Sequence, residues 1–420
     1  MRERAPLMLH LSKRTASSSS RVLLQAGIAP IGRRNIMGYT VLGLTALGLW
    51  WNLYPHNPYP PSISNYLRKA SWEEIKTKNF ELSIMYYNEA LKECYKLNYN
   101  PLDDKVTGIE IKIAEMYERM GNKSEETKMY LALLEKLYNG IKKATTDDVK
   151  ISLLKRDLSV LIKMVQNMDA NAVTKRNFLQ MHLNFAQDEF GKRVPALSNI
   201  MAKGNEAIFM NPSNPQYTSL MKDVGEISKH FEDIREEFLM ARELYTDICI
   251  ESKRLDDAIH TKMITIGWMV LMNMNQEDIL MSQANLAGLM YMKAEDIEYS
   301  IHSLKRQVRN DSNDGAIEML SQRYNHILAM SESYYQTVLD KCKLIKASFP
   351  LGQGDDAKAL QVKLLSLYGL GVINLHRDNV ELASRYLQQS KVLAEEYGFL
   401  DMLDECNREL KKLPPRNVGS

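Results

Sequence analysis

From Asn65 to about Leu413 the apolar residues recur at spacings of three and four, with almost no two-residue alternation. A period near 3.6 buries one stripe of a helix, whereas a half-buried strand needs a period of two, so this segment is confined to helices. Composition agrees: 24 Met and 21 Tyr stand against 9 Phe and 13 Pro, and runs of the β-branched residues that favour strands are few. The expected fold class is all-α.

Regular helix pairs would narrow this further, because a tetratricopeptide unit sets small and large residues at fixed places over roughly 34 residues. In its second helix a large, a small, a large and a small residue follow at gaps of three, four and three. Phe80, Ser83, Tyr87 and Ala90 fit that spacing, and so do Val380, Ala383, Leu387 and Ser390. Before the latter set, Leu367, Leu370, Gly371 and Asn374 occupy the matching places of a first helix. A further first helix carries Ile113, Ala114, Tyr117 and Gly121, with a turn that reads one residue too long before Thr127. Tyr245 and Thr246, followed by Leu255 and Ala258, start another unit that puts Lys262 where a large apolar residue belongs. Small positions let two helices approach and large ones fill the space between pairs, so these residues are expected to pack. Asn211 to Pro215 and Pro350 to Asp356 read as loops, and the array is irregular. About six helix pairs over residues 67–420, closed by a polar helix from Leu400 to Leu413, are expected.

The N-terminal region differs in kind. Residues 1–35 hold seven Lys/Arg and one acid, giving +6, while the remaining residues carry −4. A Ser-rich, acid-poor, basic segment is the composition of a mitochondrial targeting sequence. Ile36 to Tyr54 contains no charge, and nineteen residues of helix rise roughly 28 Å, close to the ~30 Å of a bilayer's hydrocarbon. Tyr39 stands near one end, and Trp50, Trp51 and Tyr54 stand at the other, where amphipathic rings favour the interface. Arg33 and Arg34 precede this stretch, so positive-inside reasoning leaves the N-terminus in the matrix and the body in the intermembrane space of a single-pass inner-membrane protein. Pro55, Pro58, Pro60 and Pro61 suggest a stiff extended spacer over residues 55–66.

Motifs for chemistry are missing from the sequence. There is no G-K-[ST] phosphate loop; Gly352–Gly354 and Gly369–Gly371 follow no strand. The eight His and four Cys are scattered, without metal-ligand spacing. Cys94, Cys249, Cys342 and Cys406 read as small buried helix residues. Asp103-Asp104, Asp256-Asp257 and Asp355-Asp356 stand where helices should begin, which suits capping. The near-neutral body offers no footprint for nucleic acid. No catalytic residue, metal or cofactor is expected, and what remains is a concave surface for an extended peptide or a partner helix.

The segment Thr107-Gly-Ile-Glu-Ile-Lys-Ile-Ala-Glu-Met-Tyr-Glu118, preceded by Ala90-Leu-Lys-Glu-Cys94, resembles the yeast inner-membrane adaptor subunits of the i-AAA protease supercomplex. The resemblance is strongest over about residues 30–140 and rests on layout beyond them. It implies a domain that binds unfolded or misassembled membrane proteins and, with a second adaptor subunit, presents them to an AAA-type membrane protease in mitochondrial quality control. Hydrolysis would then belong to the protease. An import receptor or assembly factor using the same groove is the alternative, and an outer-membrane receptor facing the cytosol is a third.

Overall fold

The computed structural model describes residues 59–195, 197, 222–307, 314–348 and 356–413. The targeting segment 1–35, the charge-free stretch 36–54 with Arg33, Arg34, Tyr39, Trp50, Trp51 and Tyr54, and the loops at 211–215 and 350–355 lie outside the described residues. Among the described residues every regular element is helical, and no helix is long and apolar enough to cross a membrane. The chain divides into two compact units between Asp169 and Ala170.

In the first unit, α1 (Pro61–Trp72) runs into a π-turn (Glu73–Thr77), followed by α2 (Phe80–Lys96), α3 (Asp104–Arg119), α4 (Lys123–Lys143) and α5 (Asp147–Asn167). Each helix packs on the next. The start of α1 corrects the extended spacer expected to reach residue 66. Pro60 caps the helix and Pro61 opens it, because a first-turn proline lacks only an N–H that would go unbonded anyway and has its φ already set. Side-chain caps start the next three helices. Asn79 accepts from the Leu82 N–H at 3.0 Å, Asp103 from Lys105 at 2.8 Å and Asn122 from Glu125 at 3.2 Å. One core joins α1, α2 and α3 through Ile63, Ala70, Ile84, Tyr87, Cys94, Ile109 and Met116.

The second unit contains α6 (Ala172–Arg193), α7 (Val224–Lys229), α8 (Arg235–Glu251), α9 (Leu255–Leu271), α10 (Gln276–Gln307), α11 (Asp314–Ser348), α12 (Asp356–His376), α13 (Val380–Glu396) and α14 (Leu400–Leu410). Neighbours in sequence from α8 to α14 are neighbours in space; α8 also packs on α6, and α12 on α10. At 32 and 35 residues, α10 and α11 are far longer than a tetratricopeptide helix, which is where the irregularity of the array lies. The centre of α6, α8 and α9 is aromatic. Phe190, Phe231, Phe238 and Trp268 are fully buried, with Phe190 edge-on to Phe231 at 5.0 Å and Trp268 edge-on to Phe238 at 5.1 Å. Such pairs contribute about 0.5–1.5 kcal/mol beyond the area they bury.

One turn design recurs in both units. Asn98, Gly121, Lys253, Asn273, Asp378 and Gly398 each follow a helix with φ between +51° and +73°. The next residue returns its N–H to a carbonyl five residues back: Asn122 to Tyr117, Arg254 to Cys249 and Asn379 to Asn374. This closes the otherwise open carbonyls of a helix end, which glycine and asparagine do with least strain. It corrects Gly121, expected among the packing residues. Gly121 is an exposed helix terminator, and a Cβ there would meet nothing within 4 Å.

Candidate functional site

A recess in the second unit is built on α12. This helix is apolar almost all round, with Leu360, Leu364, Leu367, Leu370 and Ile373 buried, because α11 and α13 pack on opposite sides of it. Two glycines two residues apart make that possible, since positions i and i+2 of a helix face nearly opposite ways. A Cβ at Gly369 would stand 2.4 Å from the Tyr335 ring of α11, and one at Gly371 would stand 2.6 Å from Leu387 Cγ of α13. The three helices therefore lie closer than ordinary side chains permit.

Helix α13 divides its surface into two stripes. Ala383, Leu387, Ser390 and Ala394 are buried, with Ser390 Oγ donating to the Leu364 carbonyl at 3.2 Å. Glu381, Arg385, Gln388, Gln389 and Val392 face the other way and form one wall of a groove of about 930 Å³. Leu367 and Lys363 of α12 and Gln336, Leu339 and Lys343 of α11 complete it, with Tyr386 and Leu393 from α13. Lys343 is paired with Asp340 at 2.8 Å, while Lys363 and Arg385 have no ion-pair partner among the described residues. The groove thus joins leucine side chains, an aromatic ring, amides, the Glu381 carboxylate and the cations of Lys363 and Arg385. That combination is chemically compatible with an extended polypeptide, whose apolar side chains would meet the floor, whose backbone groups would meet the amides and whose acidic groups would meet the cations. It contains no nucleophile and base in contact. The nearby Cys342 thiol is pushed up by burial, against the pull of Lys363, and among the described residues no cluster of His, Cys, Asp and Glu could hold a metal.

The repeat residues occupy other places. Ser83, Tyr87 and Ala90 are buried on α2, where Ser83 Oγ donates to the Ala70 carbonyl at 2.9 Å and Tyr87 donates to Glu74 Oε2 at 2.8 Å. Phe80 and Tyr117 are half-buried against the same core, and Ala114 is buried. Leu370, Gly371, Ala383 and Leu387 are all buried on α12 and α13, with Gly371 directly against Leu387. In the unit expected to have an overlong turn, Glu126 rather than Thr127 takes the inward place, being 1% exposed, and Tyr130 follows it fully buried. The turn is therefore of ordinary length, and the misleading feature was a glutamate at a small position. Lys262 is also inside, 5% exposed, with its ammonium on both oxygens of Glu243 at 2.7 and 2.6 Å. Its four-carbon stem supplies the bulk that a large apolar residue would.

The groove residues Lys363, Arg385, Tyr386, Gln389 and Val392 lie off the packing stripe that the repeat spacing marks. Their signal was available as the second stripe of α13, Glu381, Arg385, Gln388 and Val392, at gaps of four, three and four.

A family model described as the MGR3 middle domain matches residues 142–274, which include the aromatic centre and end before the groove. Over 407 residues the chain is 30% identical to Protein MRG3-like of Saccharomyces cerevisiae, covering 90% of this chain and 87% of that protein. The chain belongs to the MGR3 family. It is also 28% identical over 415 residues to the mitochondrial inner membrane i-AAA protease supercomplex subunit MGR3 of the same yeast, covering 90% of this chain and 82% of that one. The family named by the sequence resemblance is thus the family found, with similarity extending across nearly the whole chain rather than its first third.

Proposed function

We propose that this MGR3-family chain is a non-catalytic adaptor of the i-AAA protease. It holds unfolded or misassembled membrane proteins and presents them, with a second adaptor subunit, for ATP-driven degradation. The observation that carries this reading is the α11–α12–α13 groove, whose leucine floor, amide wall and unpaired Lys363 and Arg385 suit an unfolded segment better than any small substrate. Membership of a family with a member named as a supercomplex subunit supports the choice of protease. In this reading residues 36–54 are a single membrane anchor, the N-terminus lies in the matrix, and both helical units, tetratricopeptide-like in their pairing, stand in the intermembrane space.

Two measurements test it. Affinity purification from mild-detergent mitochondrial extracts should recover an AAA protease, and recovering none while that protease is present would overturn the assignment. Added protease should spare the helical units in intact mitochondria and destroy them once the outer membrane is ruptured; digestion in intact mitochondria would place them in the cytosol instead.

A further inference from the structure

The outer face of α1 and the π-turn has no protein partner among the described residues, although it carries two large apolar side chains. Trp72 is 60% exposed and Ile75 is 63% exposed. Around them Arg68, Lys69, Lys76 and Lys78 are all exposed, and none forms an ion pair among the described residues. Arg68 donates to Asn65 Oδ1 at 2.5 Å, and Lys69 lies over the rings of Tyr66 and Tyr86 at 6.0 and 5.6 Å. The two acids of the turn offset only part of this charge, since at the surface four cations stand against the single Glu73 carboxylate. Glu74 is buried and held inside by Arg119 at 3.1 Å and by Tyr87, while Glu73 accepts the Thr77 hydroxyl at 2.5 Å. A tryptophan and an isoleucine framed by four cations match an anionic bilayer interface, where rings settle at headgroup depth and lysines meet phosphates.

Chain connectivity brings that surface within reach. Six residues separate Tyr54, the end of the charge-free stretch, from Pro61, and fully extended they span about 20 Å. We propose that this face of α1 lies on the anionic phospholipid surface beside the anchor, giving the first unit a second, peripheral membrane contact that fixes its orientation. This rests on the anchored reading of residues 36–54.

The test uses the full chain reconstituted in phosphatidylcholine–phosphatidylglycerol vesicles, with a nitroxide on Ile75→Cys and, separately, on Met319→Cys, which is 66% exposed in the second unit. The four native cysteines are buried, so labelling is selective and their protection reports the fold of each variant. The expected result is that collisions with oxygen exceed those with a water-soluble nickel complex at position 75, with the reverse at 319. The combined R68E, K69E, K76E and K78E change should return position 75 to water. A label at 75 that stays aqueous overturns the proposal. So does one shielded from both oxygen and nickel, which would mark a protein contact, or equal immersion at 319. Alkaline carbonate extraction of the same vesicles tests the anchor separately: extracted chain refutes the anchor, whereas retained chain with an aqueous position 75 refutes only the second contact.

Discussion

Gly371 of α12 faces Leu387 of α13 so closely that a Cβ would stand 2.6 Å from Leu387 Cγ and 3.2 Å from its backbone nitrogen. Because backbone as well as side chain would have to yield, Gly371→Ala should destabilise the chain by about 1–3 kcal/mol, the range for overpacked cores. Gly369→Ala should do the same against Tyr335, which is fully buried and cannot swing away. Gly108, inside α3 with nothing within 4 Å of a Cβ, should instead gain about 0.5–1 kcal/mol as alanine. Urea unfolding of the three variants checks the order.

Lys262 and Glu243 form an asymmetric pair: the lysine side chain is 6% exposed and the glutamate 40%. Removing the carboxylate strands a buried ammonium, whereas removing the ammonium leaves a carboxylate that water can reach. Glu243→Ala should therefore cost more than Lys262→Met, by roughly 1–2 kcal/mol once solvent screening of the exposed partner is allowed for. Thermal unfolding of both variants measures the difference.

Two carboxylates predict opposite responses to acid. Burial works against ionisation of Glu115, but hydrogen bonds from Lys112 at 2.7 Å and from Lys163 of α5 hold its pKa below the usual value. Its contribution is therefore full above the unfolded-state pKa and lost as pH falls through the lower folded one. Glu405 of α14 is pushed the other way, chiefly by burial and against the pull of Arg408. Its ionised form costs stability at neutral pH, and that cost disappears as acid protonates it. Glu115→Gln should lower stability at neutral pH and flatten the acid limb, while Glu405→Gln should raise stability at neutral pH. Denaturant titrations at neutral and acid pH separate the two.

All four cysteines are buried, and burial raises the thiol pKa at Cys94, Cys249, Cys342 and Cys406. Since the thiolate is the reactive form, the native chain should resist iodoacetamide at neutral pH and take up four equivalents when unfolded. Mass spectrometry before and after denaturation reads this directly.

The helical class, the caps at Asp103 and the α12–α13 packing were legible because periodicity and small residues are local signals. Other features depend on what two helices do to each other. Lys262 and Glu126 look wrong for buried places until the surrounding helices are known, and Lys262 is accommodated through Glu243 on α8. The left-handed turns could be read at Gly121 and Gly398, where glycine announces them, but Lys253 and Asp378 adopt the same conformation without that signal. Pro61 misled in the opposite sense, since proline opens a helix as readily as it breaks one. The groove was hidden because its wall is the polar stripe of an amphipathic helix, and such stripes ordinarily just face solvent.

The most direct test of the groove's role is membrane-protein turnover in cells carrying Lys363→Glu and Arg385→Glu together in place of the natural chain. Both residues are outside the packed core, so the fold should persist. The account predicts that i-AAA substrates are degraded as slowly as in cells lacking the chain, while the altered protein still co-purifies with the protease. Normal turnover by an altered chain that remains bound to the protease would contradict it.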